Sequence, residues 1–96
     1  MYRLYFTAQA QHELHETKAF YQQIAPTIAR HFVQEVERMS EEVEQRPTRF
    51  PEAEEGIRKA VFTGKYPYYF LFYIAGAEVW VLTLSHQRRH PEAWKH

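Results

Sequence analysis

The 96-residue sequence predicts a two-layer α+β fold of order β-α-α-β-β-β, with a helical hairpin packed on one face of a small antiparallel sheet. Three observations carry this prediction. Apolar residues recur at helical spacing in two consecutive stretches, Ala10 to Ile24 and Ile28 to Val43. Three later stretches, Ile57 to Phe62, Tyr68 to Ile74 and Val79 to Ser85, are alternating or nearly continuous in apolar and β-branched residues. The links between those three, Thr63-Gly64-Lys65 and Ala75-Gly76-Ala77, are turn sequences too short for a crossover.

Tyr2 to Phe6 is aromatic-rich with Arg3 in alternation, which reads as a strand, and Thr7 is a natural N-cap for the helix that follows. From Ala8 the apolar positions Ala10, Leu14, Tyr21 and Ile24 mark one helical face, with His12, Glu13, His15, Glu16 and Lys18 filling the wet one. Pro26 lacks a backbone donor and suits the first turn of a new helix, so Ala25-Pro26-Thr27 is a tight connector. The second helix carries the stripe Ile28, Phe32, Val36, Met39 and Val43, flanked by Ala29 and Val33. On its outer face Glu35 and Arg38, Arg38 and Glu42, and Glu42 and Arg46 are spaced to pair, each pair contributing a few tenths of a kcal/mol. Pro47 ends it, because a residue before proline is pushed out of the helical region. The last three stretches then form an antiparallel meander, and the first strand completes the sheet beside the last.

One helical hairpin covers one face of such a sheet. Side chains alternate along a strand, so if Tyr68, Phe70, Phe72 and Ile74 face the helices, Tyr69, Leu71 and Tyr73 face away. Two readings follow: a short twisted sheet whose second face is wrapped by loops and the C-terminal tail, or an exposed apolar platform that meets a partner.

Composition bounds the rest. Hydrophobic residues at 45% and aromatics at 17% exclude a disordered chain, and the length suits a single domain spanning 1–96. No cysteine is present, so disulfides, thiolate metal sites and a thiol nucleophile are excluded, and packing alone must hold the fold. No apolar leader or membrane-spanning run is seen, and a cytoplasmic location is expected. Twelve basic residues balance twelve acidic ones, all glutamates, so whole-molecule attraction to nucleic acid is absent. The charge is nevertheless segregated. Eight glutamates lie between Glu35 and Glu55, whereas Arg88, Arg89 and Lys95 gather at the end of the chain. There is no glycine-rich phosphate loop and no Gly-x-Ser-x-Gly elbow, and neither cofactor nor metal is expected. His12 and His15 are three apart, without the four-residue spacing of a zinc-protease helix, and read as helix surface. Glu52, Glu54 and Glu55 could supply a general base close to Arg58, while a run of carboxylates in a proline-flanked loop also reads as solvated surface.

The stretch His86-Gln87-Arg88-Arg89-His90-Pro91-Glu92-Ala93-Trp94 combines imidazoles that titrate near neutrality, guanidinium forks that match phosphate, and an indole. With Arg58 and the Tyr73 hydroxyl it could form a phosphate site. The same residues also fit solvated tail charges, a histidine capping the strand edge and a tryptophan anchoring the tail.

Read in order, Tyr2-x-Leu4 before a helical hairpin, Arg46-Pro47, Ile57-Arg58-Lys59, the tyrosine-rich strand ending in Phe72-Tyr73, and Leu84-Ser85-His86-Gln87-Arg88-Arg89-His90-Pro91 resemble the RelE/ParE toxin superfamily over essentially the whole length. That resemblance implies a small cytoplasmic toxin of a bacterial type II toxin-antitoxin module of plasmid-stabilisation type, neutralised by a cognate antitoxin that wraps around it. Members of RelE type cleave messenger RNA on the ribosome; those of ParE type inhibit DNA gyrase without catalytic residues of their own. Under the first type the resemblance implies Arg58 as the residue stabilising phosphorane charge, His86 as proton donor to the leaving oxygen, and Arg88 or Arg89 as phosphate holder. Under the second, Tyr69, Leu71, Tyr73, Arg89 and Trp94 are the implied contacts with target or antitoxin. Zero net charge is poorly suited to docking on ribosomal RNA, and the closing His-x-x-Arg with Pro91 and Trp94 is more similar to the ParE side. Gyrase inhibition is therefore the expected activity. Ribosome-dependent cleavage is the alternative, and an attenuated member that binds its antitoxin and co-represses their operon is a second one. Whether the chain is an enzyme follows from that choice. Isolated from its partner, it is expected to homodimerise over the aromatic face.

Overall fold

Thr7 begins the first helix as its position implies: it is extended, and its Oγ1 accepts a hydrogen bond from Ala10 N at 3.1 Å. The computed structural model describes residues 1–88. From Thr7 the chain runs as α1 (Ala8–Ile24) and, after the extended Ala25, as α2 (Pro26–Gln45) with proline in its first turn. A strand β1 (Arg3–Phe6) precedes them. A short 3-10 turn at Pro47–Arg49 leads into β2 (Glu52–Glu54), β3 (Ile57–Val61), β4 (Tyr68–Ala75) and β5 (Glu78–His86).

Among the described residues the sheet has five strands in the order β1-β5-β4-β3-β2. The meander and the place of β1 beside β5 are as expected. Two features differ. The sheet is mixed, because β1 pairs with β5 in parallel, Arg3 opposite Glu78 and Phe6 opposite Val81. Helices return the chain from β1, so no tight turn imposes an antiparallel partner on it. The second difference is β2, in a segment that reads as loop in the sequence. Gly56 has φ +77, a left-handed conformation that closes a turn from Glu54 to Ile57 and folds the acidic stretch back along β3.

The core lies between α2 and one sheet face. Phe32, Val36, Met39 and Val43 of α2 are buried against Ala60, Phe70, Phe72, Val79, Val81 and Leu84. Phe32 sits in an aromatic cluster, its ring 5.3 to 5.5 Å from those of Tyr21, Tyr66 and Tyr68. On the outer face of α2, Arg38 pairs with Glu35 and Glu42 at 3.0 Å each, while Glu42 also reaches Arg49 at 3.7 Å rather than Arg46. Ile24 departs from its stripe. It is 58% exposed because it is the last residue of α1, one turn beyond Tyr21 and its aromatic contacts.

The face turned away from the helices is not an open platform along its whole length. Tyr69 and Leu71 keep only 5% and 1% of their surface, and their cross-strand partners Ser85 and Thr83 are buried too. β4 is the central strand, flanked on both sides, and the Lys59 ammonium lies over the Tyr69 ring at 4.5 Å. Tyr73, at the far end of the strand, remains 36% exposed.

Candidate functional site

Arg58 stands in β3 opposite Phe72, on the face that carries the core. Its Nη1 donates to the carbonyl oxygens of Phe50 at 2.6 Å and Thr48 at 3.2 Å, and its Nη2 lies 3.9 Å from Glu52. The guanidinium thus satisfies backbone groups of the turn that joins α2 to the sheet. Both Nη1 protons, two of its five donors, are engaged in this way.

His86 occupies the other end of the sheet. It pairs with Tyr68 across the β4–β5 ladder, its ring edge-on to the Tyr68 ring at 5.1 Å, and its Nδ1 accepts a hydrogen bond from Arg88 N at 3.0 Å. In the neutral ring this bond leaves the proton on Nε2. The imidazole lines a cleft of about 270 Å³ with Glu13, Glu16, Thr17, Phe20, Tyr68 and Leu84. Arg88 is exposed two residues further on.

Arg88 meets His86 through its backbone amide, and Arg58 stands apart from both. Arg58 is in register with Phe72 and His86 with Tyr68, which separates them by about 13 Å along the strands and about 10 Å across two strand spacings. A proton donor and a charge stabiliser acting on one phosphate must both lie within hydrogen-bonding reach of it. In this arrangement they do not.

At the outer face, Tyr5 stacks on Trp80 with ring centroids 4.9 Å apart and planes 25° from parallel, and Trp80 stands opposite Tyr73 in the next strand. The Trp80 indole N–H donates to Glu78 Oε1 at 3.1 Å. Tyr5, Trp80 and Tyr73 thus form an aromatic row across three strands. Sequence reasoning found only Tyr73; the alternation within β1 and β5, with Leu4, Phe6, Val79 and Val81 facing the core, was the signal for the other two. A second exposed apolar pair, missed as well, is Phe20 and Ile24, four residues apart on α1 and each more than half exposed. Tyr69 and Leu71, expected as surface contacts, are instead buried. Arg89 and Trp94 lie outside the described residues.

His12 Nε2 lies 3.2 Å from Glu16 on the α1 surface, and no cluster of three or more metal-ligand side chains occurs among the described residues. Glu52 and Glu54 belong to β2. No helix among the described residues is long and apolar enough to cross a membrane.

No family model matches the sequence, and no curated protein matches it. A solved chain from the chromosomal ParDE TA system of P. aeruginosa is similar in fold, with a TM-score of 0.78 and 21% sequence identity, over 90% of this chain and 96% of that one.

Proposed function

We propose that this chain, whose fold is that of the RelE/ParE toxins, is a ParE-like toxin, neutralised by a cognate antitoxin and directed at an essential bacterial protein, DNA gyrase. The observation that carries the reading is the near end-to-end likeness to a chain of a ParDE system. The site geometry favours the same side of the superfamily. Arg58 Nη1 donates to the Thr48 and Phe50 carbonyls, and His86 lies two strands away from it, so the residues that the resemblance implies for RNA cleavage stand apart.

A toxin without its own chemistry acts by binding, and binding energy concentrates in aromatic and arginine side chains at well-packed positions. The row of Tyr5, Trp80 and Tyr73 and the exposed Arg88 offer such groups. Tyr69 and Leu71 share that face further along β4 and are buried there.

The test is induced expression followed by two assays on purified protein. Growth should arrest on induction and recover when a neighbouring small open reading frame encoding the antitoxin is co-expressed. Gyrase supercoiling should be inhibited, and messages in a translation extract should stay intact. Cut messages that disappear with His86→Ala would replace this reading by ribosome-dependent cleavage. Unimpaired growth would leave an attenuated protein whose role is antitoxin binding and operon co-repression.

A further inference from the structure

A strand at the rim of a sheet leaves half its N–H and C=O groups without a ladder partner, and such a row is a template for another chain. In β1, Arg3 N donates to Ala77 O at 2.9 Å, and just past the strand Thr7 N donates to Val81 O at 3.0 Å, so alternate residues face β5. Leu4 and Phe6 must then turn their backbone groups outward. Two of those outward groups are already engaged: Leu4 N donates to Glu44 Oε2 at 2.9 Å, and Gln11 Nε2 donates to Phe6 O at 3.0 Å. The pattern continues where β1 stops. β5 runs to His86, but β1 pairs with it only from Glu78 to Val81. Beyond that point Thr7 Oγ1 donates to Leu82 O at 3.1 Å, and Leu84 N donates to Glu13 Oε1 at 2.9 Å.

Four side chains of the helical layer therefore meet four backbone groups along one rim. The opposite rim needs no such device. There β2 is three residues long, carries Glu52 and Glu54, and has a register irregularity, all features that deter strand pairing. By contrast β1 reads Arg-Leu-Tyr-Phe, without proline, bulge or acidic residue.

We infer that Thr7, Gln11, Glu13 and Glu44 serve as a surrogate strand that keeps the β1/β5 rim closed, and that opening it at β1 admits the β1 strand of a second copy of this chain. A two-fold axis beside β1 sets the same strand on both sides, antiparallel, so each copy supplies what the other lacks. Leu4 and Phe6 of both copies then extend the core face, and Tyr5 of both extends the outer one. The inference is independent of the toxin's target.

The experiment compares the wild type, Glu44→Gln, and the double variant Glu44→Ala with Gln11→Ala, by amide hydrogen exchange and by light scattering over a range of concentrations. Glutamine keeps an acceptor oxygen where glutamate had one; alanine does not. In the double variant the Leu4 amide should exchange about tenfold faster at low concentration, and the mass should rise with concentration to twice the wild-type value. Glu44→Gln should behave as wild type on both measures. A double variant with wild-type mass at every concentration, or with unchanged Leu4 exchange, overturns the inference. If the double variant does not fold, Glu44→Ala alone is read by the same two criteria.

Discussion

Tyr66 shows how one side chain can couple two layers. It follows β3 in the turn toward β4, yet its hydroxyl donates to Ile28 O in α2 at 2.9 Å, and its ring packs edge-on against Tyr21 and Phe32. Burial raises its ionisation above the ordinary tyrosine value near 10, and Coulombic interactions with Tyr21 and Glu35 act in the same direction. The phenol must be protonated to donate. Because its folded value is raised, its contribution is complete below about pH 10 and is lost as pH climbs through the folded value. Tyr66→Phe should lower stability at neutral pH by about 1 kcal/mol, as the loss of one hydrogen bond implies. Above pH 10 the variant should lose less further stability than the wild type, as denaturant unfolding at a series of pH values would show.

Strand β4 separates two roles within adjacent residues. Phe72 is fully buried in the helix-covered core, its ring edge-on to Phe50 at 6.0 Å, whereas Tyr73 points the other way and is 36% exposed. Phe72→Ala should cost about 3–5 kcal/mol, a large share of a small domain's stability, and Tyr73→Ala under about 1 kcal/mol, chiefly its cross-strand contact with Trp80. Urea midpoints of the two variants measure the contrast. At this scale the sequence was legible wherever periodicity was strong. Of the stripe, Phe32, Val36, Met39 and Val43 are buried as read and Ile28 is half-buried, and Thr7 caps α1. It was illegible in β2, where Glu52-Ala53-Glu54 has no apolar alternation to betray a strand, and only Glu55-Gly56 hinted at the turn. Ile24 misled because helical spacing records which face a residue is on, and says nothing of where the layer beneath it ends.

Across the whole molecule, the distance between Arg58 and His86 separates a structural arginine from a surface histidine. Arg58 holds the Pro47–Arg49 turn against the sheet through two carbonyls, while His86 sits at the mouth of a cleft beside α1. Arg58→Ala should therefore lower stability by about 2 kcal/mol, whereas His86→Ala should change it by under about 1 kcal/mol. Thermal unfolding of both variants would test this, and a more stable Arg58→Ala protein would refute the structural role. The candidate site was only partly legible for the same reason. Residue types in the sequence nominated Arg58, His86 and Arg88 together, but convergence depends on register, and register places Arg58 four residues and two strands from His86. The sequence by itself determined the helices, the meander and the neighbourhood of β1 and β5, because these follow from periodicity and short connections. Only the tertiary structure decided that β1 runs parallel to β5, that Tyr69 and Leu71 are buried while Tyr5, Trp80 and Tyr73 line up, and that helix side chains close the rim. Each of these depends on which strands flank a residue and on what a neighbouring layer reaches, and a linear pattern of polarity does not encode either.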